Sequence, residues 1–332
     1  MISLRDIKGQ DSAVKYLAGS LSSGRIAASY LFYGPGGVGR AMCAKAFIMA
    51  LICPDKPRTD EPCLKCPGCR RVDTLSHPDV AWIKPEKNKA IKIEQIRGAR
   101  DVLNLKPYES NVNVCVIEDA HMMTVEASNA LLKVLEEPPG HSILILITDR
   151  KELMLETVVS RCAEVRFRYL SIGDTRDIVT KVNREIDGKS AYFLAYFSQG
   201  SPGKALSMAD GGAEERKNEL VALLGSVAKE NAPICMSWDT ESKDGILDDL
   251  EMIIMFFRDI TMEKTGMRDK VLDRNIVDTE MFRCFKTYSI DKIYEITEQL
   301  INTKLALSGN VNPKLVSQAL PGIIRGELEL SG

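Results

Sequence analysis

Val112-Asn113-Val114-Cys115-Val116-Ile117 and Ile143-Leu144-Ile145-Leu146-Ile147 are two short, largely aliphatic runs with room for one helix between them. In that interval Thr124 can cap a helix, and Glu126 falls in its first turn, at the positive end of the helix dipole. Ala127, Ala130, Leu131, Val134 and Leu135 then recur three and four residues apart and give one apolar face, until Pro138-Pro139 stops the helix. Strand 112–117, helix 124–137 and strand 143–147 therefore read as one β-α-β unit. Strands apolar on both sides predict a parallel sheet covered by helices on both faces, an α/β fold. Further outward, Tyr30-Leu31-Phe32-Tyr33, Val80-Ala81-Trp82-Ile83 and 164–168 are additional strand candidates. After about Tyr169 no convincing strand follows. Residues 172–208 read as a small helical unit ending near Gly200-Ser201-Pro202-Gly203, with Gly211-Gly212 as a linker. Residues 213–328 read as a helical domain with segments near 214–229, 244–264, 278–286 and 290–307. The expected division is an α/β part at 1–168, a small helical part at 169–211 and an all-α part at 212–332.

Bulk composition narrows the function. The formal net charge is −2 over 332 residues, without the basic excess expected of a chain that grips nucleic acid alone. No segment approaches the roughly 20 apolar residues a membrane helix needs. Met1 to Gln10 carries no apolar signal core, so a cytoplasmic location is expected. Of nine cysteines, Cys43, Cys115, Cys162, Cys235 and Cys284 are scattered, while Cys53, Cys63, Cys66 and Cys69 follow C-x9-C-x2-C-x2-C. In a reducing compartment such a cluster favours a metal over disulfides. Four thiolates suit tetrahedral zinc, and Pro54, Pro57, Pro62, Pro67 and Gly68 keep the segment in turns. No coordination position is left for water, so the zinc would be structural. An iron–sulfur cluster, also held by four cysteines, stays open as an alternative.

Gly34-Pro35-Gly36-Gly37-Val38-Gly39-Arg40-Ala41 lies between a strand and a helix, the context a phosphate-binding P-loop requires. The glycines let backbone amides turn toward a phosphate at a helix N-terminus. The pattern G-x-x-x-x-G-K-[ST] holds as far as Gly39 and then fails twice. Arg40 stands where a lysine reaches the β- and γ-phosphates, and Ala41 where a hydroxyl holds magnesium. After strand 112–117, Glu118-Asp119 reverses the Asp-Glu order that serves metal and water in active ATPases. Efficient hydrolysis is not expected. Nucleotide binding in cis stays open beside the plainer reading, a Gly-rich turn without a ligand.

Several stretches taken in order resemble the bacterial clamp-loader family of DNA polymerase III, which includes gamma/tau and delta-prime subunits. They are Ile7-Lys8-Gly9-Gln10, Tyr30-Leu31-Phe32-Tyr33-Gly34-Pro35, and the four cysteines just after the P-loop helix. They continue with 129–139, Thr157 with Ser160-Arg161-Cys162, and Asn310-Val311-Asn312-Pro313-Lys314-Leu315. The resemblance spans nearly the whole chain. It implies a AAA+ domain with a parallel sheet, a small helical lid and an all-α collar. It also implies a hetero-pentamer with gamma/tau and delta that opens the sliding clamp and places it on primed DNA. By the same resemblance, Arg161 in its Ser160-Arg161-Cys162 turn is an arginine finger for a neighbouring subunit's ATP site. Thr148 stands at the first sensor position and Lys204 at a basic sensor of the lid. The departures at Arg40, Ala41, Glu118 and Asp119 favour a delta-prime stator over a gamma/tau motor, as does a chain that stops after the collar-like region.

Two rivals remain from the sequence. One is a gamma/tau-type motor that hydrolyses ATP itself. The other is a zinc-containing protein that binds nucleic acid directly through Lys84, Lys87, Lys89 and Lys92, a run that could equally be a solvated face.

Overall fold

In a computed structural model of the chain, residues 1–56, 60–86, 89–228, 243–272, 277, 279–309 and 311–327 are described. Pro57, Lys87, Cys235 and Asn310 lie outside them. Two compact units emerge: Met1–Val182 with Ser198–Ala205, and Asn183–Phe197 with Leu206–Gly332. This division runs through the segment 169–211 that the sequence suggests as a separate helical part.

The first unit is built on five parallel strands, β1 (Ser29–Tyr33), β2 (Val80–Ile83), β3 (Asn113–Ile117), β4 (Ser142–Thr148) and β5 (Ala163–Arg166), in the order β2-β3-β4-β1-β5. Every residue of β3 and β4 is buried. Successive side chains on these strands point to opposite faces. Tyr30, Phe32, Val114, Val116, Ile143, Ile145 and Ile147 enter one core. Helices α1 (Asp11–Ser23) and α2 (Arg40–Ile52) close that core with Leu17, Leu21, Ala44 and Phe47. Leu31, Cys115, Ile117, Leu144 and Leu146 enter the other core, closed by α4 (Ile93–Asn104) and α5 (Val125–Glu136). Short α3 (Pro67–Asp73) packs on α2. The β-α-β unit expected at 112–147 is present, and Thr124 caps α5 by accepting from the Ala127 amide at 3.2 Å. β5 stops at Arg166 rather than 168, because the Arg168 backbone pairs with the buried Gln10 side chain instead. The Arg168 amide donates to Gln10 Oε1 at 3.1 Å, and Gln10 Nε2 donates to the Arg168 carbonyl at 2.7 Å. α6 (Glu156–Val159) packs on α5, and α7 (Ile172–Val182) follows β5.

Among the described residues, the α-helices of the rest of the chain are α8 (Gly188–Phe197), α9 (Pro202–Asp210), α10 (Ala213–Val227), α11 (Lys243–Lys264), α12 (Glu280–Phe285), α13 (Ile290–Ser308) and α14 (Pro313–Arg325). Leu250, Ile253, Phe257 and Ile260 of α11 are buried, as their helical spacing predicts, and Ile254 is half-buried. α13 packs on α11 and α14 through Ile293, Ile296, Leu300 and Leu307. Its other side exposes Ile290, Tyr294, Ile301 and Leu305, spaced 4, 7 and 4 residues apart and hence on one stripe. Among the described residues no helix is long and apolar enough to cross a membrane.

A buried carboxylate fixes the loop between α4 and β3. Asp79 is 3% exposed and accepts from the Tyr108, Glu109 and Ser110 amides at 2.6, 2.9 and 2.8 Å, and from Ser110 Oγ at 2.9 Å. Burial alone would raise its pKa, but these donors favour the anion and hold it below the ordinary carboxylate range. A lowered folded pKa adds stability that is complete above the unfolded value and is lost as pH falls through the folded one. Asp79→Ala is expected to cost about 3 kcal/mol in urea unfolding at neutral pH, because it strands buried amides. Asp79→Asn should flatten the acid limb of the stability profile.

Candidate functional site

The C-terminal ends of β1, β3 and β4 meet at one edge of the sheet, where open α/β sheets place their ligand crevice. Tyr33 aligns with Thr148, and the Gly34 amide donates to the Thr148 carbonyl at 3.3 Å. The loop from Gly34 to Gly39 then turns into α2, with Gly39 as a left-handed N-cap. A cavity of about 400 Å³ opens there, lined by Gly37, Gly39, Arg40, Ala41, Met42, Lys45, Lys84, Glu118, Asp119 and Ile147. The structure thus brings the loop and the Glu118-Asp119 pair to one cavity.

The polar groups around the cavity differ in how far they are engaged. Arg40 is 8% exposed, and its Nη1 is buried without a hydrogen-bond partner among the described residues. Burial lowers its pKa, opposed by the carboxylates of Asp149, Asp119 and Glu118. Ala41 offers no oxygen to a metal. Glu118 is held by Trp82 Nε1, which donates to Oε1 at 3.0 Å, and by Lys84 Nζ, 2.8 Å from Oε2. Asp119 takes a left-handed conformation, φ 49°, as the chain turns off β3. Thr148 is fully buried; its Oγ1 lies 3.1 Å from His121 Nδ1 and accepts from the Arg150 amide at 3.1 Å. Thr148 therefore shapes the turn after β4. The segment around Lys204 clasps the glycine loop: Ser201 Oγ donates to the Gly36 carbonyl and the Gly203 amide to the Gly37 carbonyl, both at 2.9 Å. A Cβ on Gly37 would meet Ser201 Oγ at 2.4 Å, and one on Gly203 would meet Gly37 Cα at 2.8 Å. Only glycines permit this approach. The Lys204 amide lies on Ser201 Oγ at 3.3 Å.

The cysteine cluster sits at the far end of α2. Cys53 caps α2, Cys66 caps α3, and Cys63 lies in the turn before Leu64, whose φ is 57°. The sulfurs of Cys53, Cys63, Cys66 and Cys69 all lie within 4.8 Å of one another, so the cluster could hold a metal ion. Cys53 and Cys66 are 4.0 Å apart, close to the ~3.8 Å edge of a tetrahedron with 2.3 Å metal–sulfur bonds. The amides of Cys63, Cys66 and Cys69 donate to the sulfurs of Cys53, Cys63 and Cys66 at 3.3, 3.3 and 3.4 Å. Burial works to raise the Cys63 thiol, but the Lys65 and Cys66 amides bring it down to about 7. The residues present fit a soft tetrahedral cation.

The turn after α6 carries Ser160, Arg161 and Cys162. Ser160 Oγ donates to the Thr157 carbonyl at 3.3 Å, and the Cys162 thiol, pushed up to about 12 by burial, contacts the Val158 carbonyl at 3.3 Å. Both shape the turn. Arg161 points outward, 37% of its side chain exposed. Sequence reasoning missed Glu136, which receives Arg161 Nη2 at 2.9 Å, and the buried Asp79. No local pattern marks either partner. Within the lysine run, Lys84 pairs with Glu118 and Lys89 with Glu86, while Lys87 lies outside the described residues.

Residues 9–171 match the family described as DNA polymerase III, delta subunit. The tau subunit of DNA polymerase III from Bacillus subtilis (strain 168) is 28% identical over 335 residues, which span 93% of this chain and 59% of that one. The delta' subunit from the same organism is 26% identical over 314 residues, 91% of this chain and 92% of that one. Among solved structures, a gamma subunit-related protein of DNA polymerase III from Thermotoga maritima is similar with a TM-score of 0.40 and 19% identity, covering 96% of this chain and 99% of that one.

The purified chain is expected to show no magnesium-dependent ATP turnover above background, because Arg40 and Ala41 lack the groups that serve phosphate and metal. Arg40→Lys combined with Ala41→Thr should raise nucleotide affinity, read by titration with a fluorescent ATP analogue. Robust turnover by the unmodified chain would contradict this account of the loop.

Proposed function

Because the chain belongs to the clamp-loader AAA+ subunits of bacterial DNA polymerase III, we propose that it is a delta-prime-type stator working in the cytoplasm. In this reading it joins gamma/tau and delta subunits in a hetero-pentamer that loads the sliding clamp onto primed DNA. Its Arg161 acts at the ATP site of a neighbouring subunit. The observation that carries the reading is one unit holding both a glycine loop with Arg40 and Ala41 in place of lysine and hydroxyl and a partly exposed Arg161. A cation held outward is of no use to its own chain's loop if that loop cannot present a nucleotide. It can still serve a phosphoryl group bound next door. Similarity to delta' subunits supports the clamp-loader part of this reading. The helical region 212–332 would be the collar, and the exposed stripe of Ile290, Tyr294, Ile301 and Leu305 on α13 suits burial against a partner helix.

The metal at Cys53, Cys63, Cys66 and Cys69 is zinc in this proposal. Four thiolates close its coordination, so it holds the α2–α3 connection together and takes no part in chemistry. The purified protein should keep zinc through extensive dialysis, and Cys66→Ser should lose it and unfold at lower urea. A metal-free preparation that folds and assembles normally refutes the zinc site. Visible absorption from iron transfers it to a cluster.

Arg161→Ala should leave folding, metal content and assembly unchanged. The ATP site it serves should slow by roughly 10³ or more, so the DNA- and clamp-stimulated turnover of the assembled complex falls by that site's share. Arg161→Lys should rescue poorly, since a point charge does not reproduce the planar fork. Unchanged stimulated turnover at equal stoichiometry would reduce this arginine to a surface residue.

A further inference from the structure

We infer that Glu136 is the positioning residue for Arg161, an assignment that rests on the arginine-finger reading above. Arg161 is held by two acceptors on two different helices. Nη1 donates to the Thr157 carbonyl in α6 at 3.0 Å, and Nη2 donates to Glu136 Oε1, at the last turn of α5, at 2.9 Å. A guanidinium carries five N–H donors in a rigid plane, so two anchored donors fix its orientation and the others stay available. No other acceptor holds it among the described residues.

The backbone on either side of the pair is fixed independently of it. Val134 and Leu135 bury the end of α5, and Val158 buries α6 at 1% exposure. The Arg161 amide donates to the Val158 carbonyl at 3.2 Å and the Cys162 amide to the Val159 carbonyl at 3.1 Å, closing the turn. What these contacts leave undetermined is the long arginine side chain. Its rotamers would otherwise spread, and a finger that must bridge phosphate oxygens loses rate when its geometry spreads. Glu136 and Arg161 keep 52% and 37% of their side chains exposed, so the pair adds little to folding. Its consequence is orientation. Glu137, the next residue, has the same charge, is exposed and makes no hydrogen bond or ion pair with Arg161 among the described residues, which makes it a matched control.

The test uses the complex assembled with its partner clamp-loader subunits, reading DNA- and clamp-stimulated ATP turnover against ATP concentration. Glu136→Ala should lower kcat roughly five-fold, the size of one exposed ion pair, with KM for ATP unchanged. Glu136→Gln, which keeps the carbonyl acceptor, should recover part of the loss, and Glu137→Ala should change nothing. Placed on Arg161→Ala, Glu136→Ala should cause no further loss, because it acts only through that side chain. Equal losses in both backgrounds, or an equal loss in Glu137→Ala, would overturn the assignment. So would unchanged turnover in Glu136→Ala beside a slowed Arg161→Ala, and a rise in turnover would show that Glu136 restrains the finger. An Arg161→Ala complex as fast as the unmodified one fails the finger reading itself, and the role of Glu136 falls with it.

Discussion

The central strands have no face left for solvent. Tyr30, Leu31, Phe32, Val114, Cys115, Val116 and Ile145 are all at 0% exposure, alternating between two cores. A sheet walled by helices on both faces can offer chemistry only at its edges and ends. The loops after β1, β3 and β4 are therefore forced into one neighbourhood, and the glycine loop, the Glu118-Asp119 turn and the Thr148-Asp149 turn meet there. The same constraint sends α5 down one flank, from the acidic turn at its start to Glu136 at its end, and α6 packs against it.

Within that neighbourhood the chain supplies its own cation. A buried guanidinium with an unpartnered N–H is costly, and its persistence needs an offsetting field. Asp149, Asp119 and Glu118 provide it, since each works against the depression of the Arg40 pKa. Carboxylates at the ends of β3 and β4 that could neutralise magnesium thus face an internal positive charge. Glu118 is further committed to Trp82 and Lys84. Arg40 at the loop and the carboxylates of Asp149, Asp119 and Glu118 thus form one group of opposed charges.

How much of this was legible depended on sequence distance. The two aliphatic runs flanking a capped, amphipathic helix announced β3, α5 and β4, because each signal is local: alternation is absent, Thr124 caps, and two prolines stop the helix. The cysteine spacing announced the metal-capable cluster for the same reason. The ties that fix the site are long-range. Gln10 reaches Arg168 across 158 positions, Asp79 reaches its amides across about 30, and Glu136 reaches Arg161 across 25. A single side chain meeting a distant backbone leaves no periodic trace. The approach of Ser201 and Gly203 to Gly36 and Gly37 is long-range in the same way.

The turn Ser160-Arg161-Cys162 shows how such a site can be read once burial is known. Three adjacent residues meet three environments: a hydroxyl spent on the turn, a half-exposed guanidinium paired with Glu136, and a thiol turned toward the core. A thiol raised to about 12 is almost wholly protonated at neutral pH and is a poor nucleophile, so Cys162 is present as a small apolar anchor. Ser160 closes the turn by donating to the Thr157 carbonyl. The turn as a whole therefore holds one charge at a fixed height above a rigid base.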